Sequence, residues 1–181
     1  IDVPFQLWSF TKKLRMTKDE IKKEHKETEG DPQVKARMRA QQQSMARRRM
    51  MAKVPEADVI VTNPTHYAVA LSYEGSYMEA PRVVAKGSDL VATRIRELGE
   101  AHGVPLLEAP PLARALHQHV DIDQEVPATL YTAVAEVLAW AYRLKRVREE
   151  GGDWPDTPHD LPVPNELDPS QHNVAGAKDT P

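Results

Sequence analysis

Apolar and polar positions along the middle of the chain repeat with two different periods, and the change of period separates strands from helices. Val59, Ile60 and Val61 form a continuous β-branched run, while Tyr67, Val69, Leu71 and Tyr73 alternate with Ala68, Ala70 and Ser72, so both stretches are predicted as strands. Glu74 to Pro81 then reads as a loop and Arg82 to Gly87 as a third strand. Ser88 or Asp89 is placed to cap a helix carrying Leu90, Val91, Ile95 and Leu98, with Gly103 as its stop. A short strand follows over Val104 to Glu108. Pro110-Pro111 opens a helix with Leu112, Ala115 and Leu116, and Pro127 opens a longer one reaching about Val147. Strands alternating with helices predict an α/β fold, a small mixed β-sheet of about four strands flanked by helices.

The two ends of the chain follow neither period. Residues 1–16 mix Phe5, Leu7, Trp8, Phe10 and Leu14 with cations, a composition that suits a membrane interface or a frayed terminus. Thr17-Lys18-Asp19-Glu20 has the form of a capping box, yet Ile21 is the only large apolar residue before Gly30, so the helix it starts has no face to bury. Asp31 and Pro32 then restart a second helix through Lys35, Arg37, Arg39, Arg47, Arg48 and Arg49. From Gly151 onward, Pro155, Pro158, Pro162, Pro164, Pro169 and Pro181 stand among acidic and small residues, the composition of disordered chain. The expected organisation is a basic, membrane-proximal helical linker over 1–53, a compact domain over 54–149 and a disordered Pro-rich acidic tail over 150–181. The start Ile1-Asp2-Val3-Pro4, with no initiator Met, fits a piece of a longer protein.

Charge adds a partner to this picture. The 181-residue chain has a net charge of −3, but residues 12–53 hold 14 of the 24 Lys/Arg and 6 of the 27 Asp/Glu. A basic arm on an acidic domain fits an anionic membrane surface or nucleic acid. Aromatic residues for base stacking are absent from 32–53, and no helix-turn-helix or zinc spacing accompanies the helix, so the membrane surface is favoured and no nucleic acid is expected. The chain contains no cysteine, which removes disulfide and thiolate chemistry and is compatible with a reducing compartment. No apolar run is long enough to span a bilayer. His117 and His119 lie two residues apart, which on a helix points the rings away from each other, so neither they nor Asp121 and Asp123 predict a metal site. No Gly-x-Ser-x-Gly elbow and no phosphate-binding glycine loop is present, and no cofactor is expected.

The remaining chemistry sits between the first two strands, at Asn63-Pro64-Thr65-His66. Asn-Pro is ordinary turn punctuation, since Pro fixes φ near −65° and Asn tolerates unusual backbone angles. It also has a chemical option. Pro64 lacks the N–H through which a following residue attacks an Asn side chain, so the reverse attack remains: the Asn63 side-chain nitrogen closes a succinimide on its own carbonyl carbon and expels the Pro64 nitrogen. A turn that twists this amide and donates hydrogen bonds to the developing oxyanion lowers the barrier. Thr65 and His66 are then turn-shapers, and an imidazole can also serve as a base by its pKa. The competing reading is a docking module with an uncut turn. On the long helix, Leu130, Val134, Val137, Ala141 and Leu144 form one apolar stripe and Ala135, Leu138 and Tyr142 another, which fits burial on two sides or a shallow docking patch of Ala135 and Leu138 with Ala80 and Pro81. A basic-arm nucleic-acid binder is the third reading.

The run Leu14-Arg15-Met16-Thr17-Lys18-Asp19-Glu20-Ile21, then Glu29-Gly30-Asp31-Pro32-Gln33-Val34-Lys35, Asn63 to Leu71, Val84-Ala85-Lys86-Gly87 and Pro110 to Leu116 resembles the cytoplasmic domain of the FlhB family of flagellar type III export proteins (FlhB/YscU/SpaS), in unbroken order over about residues 12–147. Injectisome relatives share the Asn-Pro-Thr-His turn; the other segments favour the flagellar branch. The resemblance implies a missing N-terminal bundle of transmembrane helices in a bacterial inner membrane, with this domain on the cytoplasmic side. It implies autocleavage at Asn63–Pro64 with the pieces staying associated, completed by Thr65 and His66, and a switch of export from rod and hook to filament subunits. The implied partners are the other export-gate membrane protein, the hook-length control protein and early export substrates. The tail after Gly151 lies outside the resemblance.

Overall fold

The structure is a computed structural model that describes Trp8 and residues 32–75 and 78–168. The aromatic N-terminal stretch, the capping box at Thr17 and residues 169–181 lie outside the described residues. The chain divides into two units, 1–47 and 48–181. The first contributes the exposed start of helix α1 (Pro32–Lys53), which has no apolar stripe and leaves Val34, Met38 and Met45 in solvent.

The second unit is built on a four-stranded sheet of β1 (Val59–Asn63), β2 (Tyr67–Ser72), β3 (Arg82–Ser88) and β4 (Leu106–Glu108), in the order β3-β2-β1-β4. β1 and β2 pair antiparallel through a tight connection, β2 pairs antiparallel with β3, and β4 joins β1 in parallel. The parallel pair needs a crossover, which α2 (Asp89–Ala101) supplies. α3 (Pro110–His119) and α4 (Tyr131–Glu150) cover the other face, with a 3₁₀ turn at Ala128–Leu130 leading into α4. The expected mixed sheet flanked by helices is what forms. β4 is shorter than the stretch from Val104, because Pro105 has no N–H for the ladder and contributes only its carbonyl, which accepts Ile60 N–H at 2.8 Å.

Residue size distinguishes the two faces. Val59, Val61, Val69, Leu71, Val83 and Leu107 point to α3 and α4, meeting Leu112, Leu116, Val134 and Val137. Ile60, Ala68, Ala70 and Ala85 point to α2, meeting Ala92 and Ile95, with Met50 from the end of α1 and Val54 from the 3₁₀ turn after it joining them. A bulge between Ala70 and Leu71 of the ladder keeps Val83 and Ala85 on opposite faces although they are two residues apart. Small residues let α2 lie close. A Cβ on Gly99 would come within 2.2 Å of Ile60 Cδ1, and one on Gly87 within 2.3 Å of Val91 Cγ1 and 2.8 Å of Val91 Cβ.

Residues 151–168 hold neither strand nor α-helix, yet they are not detached from the domain. Leu161, Val163 and Leu167 pack against the larger core, and a 3₁₀ turn at Asn165–Leu167 delivers Asp168 to Arg114. Prolines with spaced aliphatic residues suffice for such packing once a receiving surface is present, and composition alone does not register that surface.

Gly87→Ala forces Val91 and the start of α2 away from the sheet. It should lower unfolding free energy by about 1–3 kcal/mol, the usual cost of overpacking, read from urea melts.

Candidate functional site

The connection between β1 and β2 is the four-residue turn Asn63-Pro64-Thr65-His66. Asn63 pairs with Tyr67 as the last rung of the ladder, so the strands hold both ends of the turn. His66 N–H closes it by donating to the Asn63 carbonyl at 3.0 Å. Asn63 and Pro64 are half-buried, whereas Thr65 and His66 are exposed. The upstream residue is fixed as well: Thr62 accepts Ala109 N–H at 3.0 Å on its carbonyl and donates its hydroxyl to Leu107 O at 3.3 Å.

Helix α2 holds the turn from the side. Asp89 N–H donates to His66 O at 2.9 Å, and Arg96 Nη1 donates to Pro64 O at 2.6 Å. Arg96 is itself steered by Thr93, whose hydroxyl accepts Nη2 at 3.1 Å and donates to Asp89 O at 3.1 Å. Asp89 adopts a left-handed φ of 48°, a conformation an aspartate tolerates better than most side chains. Three carbonyls of the turn, on Asn63, Pro64 and His66, therefore each receive a donor.

Under the other flank, Tyr67 lies against His117 with ring centroids 4.4 Å apart at an angle of 34°. Lys86 Nζ donates to the carbonyls of His117 and Val120, at 3.1 and 2.7 Å, and so caps the C-terminal end of α3 beneath the ring. Burial, with the Lys86 charge second, holds the His117 imidazole below its ordinary pKa. The sequence spacing around His117 predicts no metal site, and in the fold its ring packs against Tyr67 at the edge of the hairpin. Neither Arg96 nor Lys86 reads as a site residue from the sequence, because nothing local to them signals their partners on the turn and at the end of α3.

The patch residues are placed as follows. Pro81, Ala135 and Leu138 line one apolar groove of ≈ 340 Å³ together with Tyr73, Glu79, Tyr131, Ala139 and Tyr142. Ala80, expected beside them, is 1% exposed and points into the protein instead. Tyr142 bridges the groove by donating its hydroxyl to Tyr73 O at 3.0 Å, and burial, with Asp58 second, pushes its phenol up to about 12.

Residues 1–141 match the FlhB HrpN YscU SpaS family. The chain is 65% identical to the flagellar biosynthetic protein FlhB of Yersinia enterocolitica over 167 residues, 92% of this chain and 44% of the relative. It is 60% identical to FlhB of Escherichia coli K12 over 167 residues, again 92% of this chain and 44% of the relative. The chain thus spans less than half the length of these relatives. The crystal structure of the cytoplasmic domain of FlhB from Shewanella putrefaciens is similar with a TM-score of 0.63 and 46% identity, over 67% of this chain and 95% of that one. A mutated EscU C-terminal domain is similar with a TM-score of 0.50 and 30% identity, over 51% of this chain and 98% of that one.

Because the His117 pKa is lower folded than unfolded, the unfolded chain takes up the proton first as pH falls. The contribution is complete above the ordinary value near 6.5 and is lost as pH drops below it. His117→Phe keeps an aromatic floor for Tyr67 without the titration, so its urea midpoint should fall less than that of the parent between about pH 7.5 and about pH 5.

Proposed function

The chain belongs to the FlhB HrpN YscU SpaS family, and from that premise we propose that it is the cytoplasmic domain of a flagellar export-gate protein that cuts itself between Asn63 and Pro64. The observation that carries this reading is the hydrogen bond of His66 N–H to the Asn63 carbonyl oxygen at 3.0 Å. That oxygen becomes the oxyanion when the Asn63 side-chain nitrogen attacks the carbonyl carbon, so the donor stands where negative charge develops. One such donor is worth about 3 kcal/mol of barrier, or roughly 100-fold in rate.

The reaction conserves atoms without a cofactor. The new bond joins Asn63 Nδ2 to its own carbonyl carbon, the bond to the Pro64 nitrogen breaks, and a proton lost from Nδ2 ends on that nitrogen. Water then opens the succinimide. Arg96 on Pro64 O, Asp89 N–H on His66 O and the Asn63–Tyr67 rung hold the turn at both ends, so the attack proceeds in a restrained geometry. Thr65 and His66 serve as turn-shapers. After the cut β1 keeps its ladders to β2 and β4, a basis for the fragments staying associated.

In the whole protein this domain extends from a bacterial inner membrane into the cytoplasm and switches export from rod and hook subunits to filament subunits. The other export-gate membrane protein and the hook-length control protein are its proposed partners. The groove of Pro81, Ala135 and Leu138 is the proposed docking place for early export substrates, supported by its apolar lining and its position away from the turn. The basic arm lies against anionic lipid, consistent with the exposed Lys and Arg side chains of α1. A docking module with an uncut turn is the second reading, favoured by the groove alone.

Intact mass separates the two readings. The purified chain should yield a fragment beginning at Pro64, and Asn63→Ala should remain whole; a cut Asn63→Ala chain sinks the mechanism. Ala135→Asp, at an exposed position of that groove, should weaken capture of a hook-type export substrate by about tenfold, the order expected for a charge in an apolar contact, while the Pro64 fragment still appears.

A further inference from the structure

The chain after α4 turns back at Gly151 and Gly152, whose φ values of 79° and 124° suit glycine, and runs over the face formed by α3 and α4. It touches the domain at intervals, with most of 151–160 in solvent and the firmest contacts over 161–168. Asp156, Thr157 and Pro158 wall a groove of ≈ 740 Å³ with Tyr131, Thr132, Ala135, Glu136, Trp140 and Arg143 of α4, so the acidic end of the segment is read at Arg114 and not along this groove. Pro158 to Val163 wall a second, of ≈ 320 Å³, with Glu108 to Leu112 at the start of α3. Leu161, Val163 and Leu167 reach the core. The segment ends in a fork: Arg114 Nε donates to Asp168 Oδ1 at 2.7 Å and Nη2 to Oδ2 at 2.8 Å, with Asp168 only 4% exposed. A bidentate guanidinium–carboxylate pair is geometrically selective, and the Asp168 hydrogen bond raises the Arg114 pKa further, so the cation is permanent.

This is how a surface recognises an extended peptide. Pro155, Pro158, Pro162 and Pro164 fix the backbone of the segment and reduce the entropy lost on docking. The aliphatic residues supply anchors and Asp168 supplies the terminal charge. Its attachment is weak by design of its parts: no ladder pairs it to the sheet, its apolar anchors are only partly buried, and a buried ion pair repays little beyond its own desolvation.

We propose that the α3–α4 face is a binding site for an extended, proline-rich, acidic segment, occupied in cis by residues 155–168 and read at its end by Arg114. The segment is a displaceable ligand of its own domain. Tyr131, Ala135 and Ala139 border both the groove it walls and the groove of Pro81 and Leu138, so its departure alters the flank of that docking place. Segment and receiving helices all lie downstream of Pro64, so the proposal does not depend on the turn being cut.

The test uses the full chain carrying Asn63→Ala, with and without Asp168→Asn, exposed to a Glu-specific protease that can cut after Glu166. Asp168→Asn, and separately Leu161→Ser, should speed that cut by about tenfold or more while far-UV dichroism and the thermal midpoint of the domain stay as in the parent. A labelled peptide of residues 155–168, added at about the millimolar effective concentration of a tethered segment, should bind the Asp168→Asn chain, and the same peptide carrying Asp168→Asn should bind at least about tenfold more weakly. An unchanged rate of cutting after Glu166, equal binding of the two peptides, or collapse of the whole domain when the segment is loosened overturns the proposal.

Discussion

Strand β1 is hydrogen-bonded on both edges and packed on both faces, and the rest of the domain is arranged to make that possible. Its edges are taken by β2 and β4, its α2 side by the small-residue layer around Ala92 and Ile95, and its other side by α3 and α4. A strand enclosed in this way has no alternative register, because a one-residue slip exchanges Ile60 with Val59 and Val61 between layers of different depth. The turn at its end inherits that rigidity. Asn63 is the last rung of a ladder whose other rungs are fully buried or nearly so, so its carbonyl is held in one place.

Polar contacts then decide what the rigid turn can do. A tight connection needs partners for its backbone carbonyls, and here three are satisfied from different sources: His66 N–H for Asn63, the Arg96 guanidinium for Pro64, Asp89 N–H for His66. The last two come from α2, the crossover helix demanded by the parallel placement of β4. Sheet topology and turn electrostatics are in this sense one design, since the helix that closes the sheet also clamps the hairpin. Lys86 plays the corresponding part on the other flank, where it satisfies the end of α3 and supports the His117 ring beneath Tyr67.

Helix α4 organises the outer surface. Its buried stripe of Val134, Val137, Ala141 and Leu144 belongs to the core, and Leu138 also closes the floor of the groove shared with Pro81 and Tyr142. On the opposite flank the returning tail covers what would be bare apolar surface between α3 and α4. The second stripe in its sequence lies partly in the core, at Leu138, and partly along the groove shared with Pro81, at Ala135 and Tyr142.

Periodicity and turn chemistry are local properties, and they suffice for the strands, the α/β class and the position of the Asn63-Pro64-Thr65-His66 turn, whose residues stand in direct succession. The contacts that complete the site are distant in the chain. Arg96 is 32 residues from Pro64, Arg114 is 54 from Asp168, and each reads as an ordinary surface cation until the fold brings its partner within hydrogen-bond reach. Ala80 failed as a patch residue for the same reason, because burial of a small apolar side chain depends on what packs over it. Composition likewise does not reveal the surface that receives Leu161, Val163 and Leu167. Packing between elements far apart in sequence assigns those partners, and only the assembled sheet, with helices on both faces, creates them.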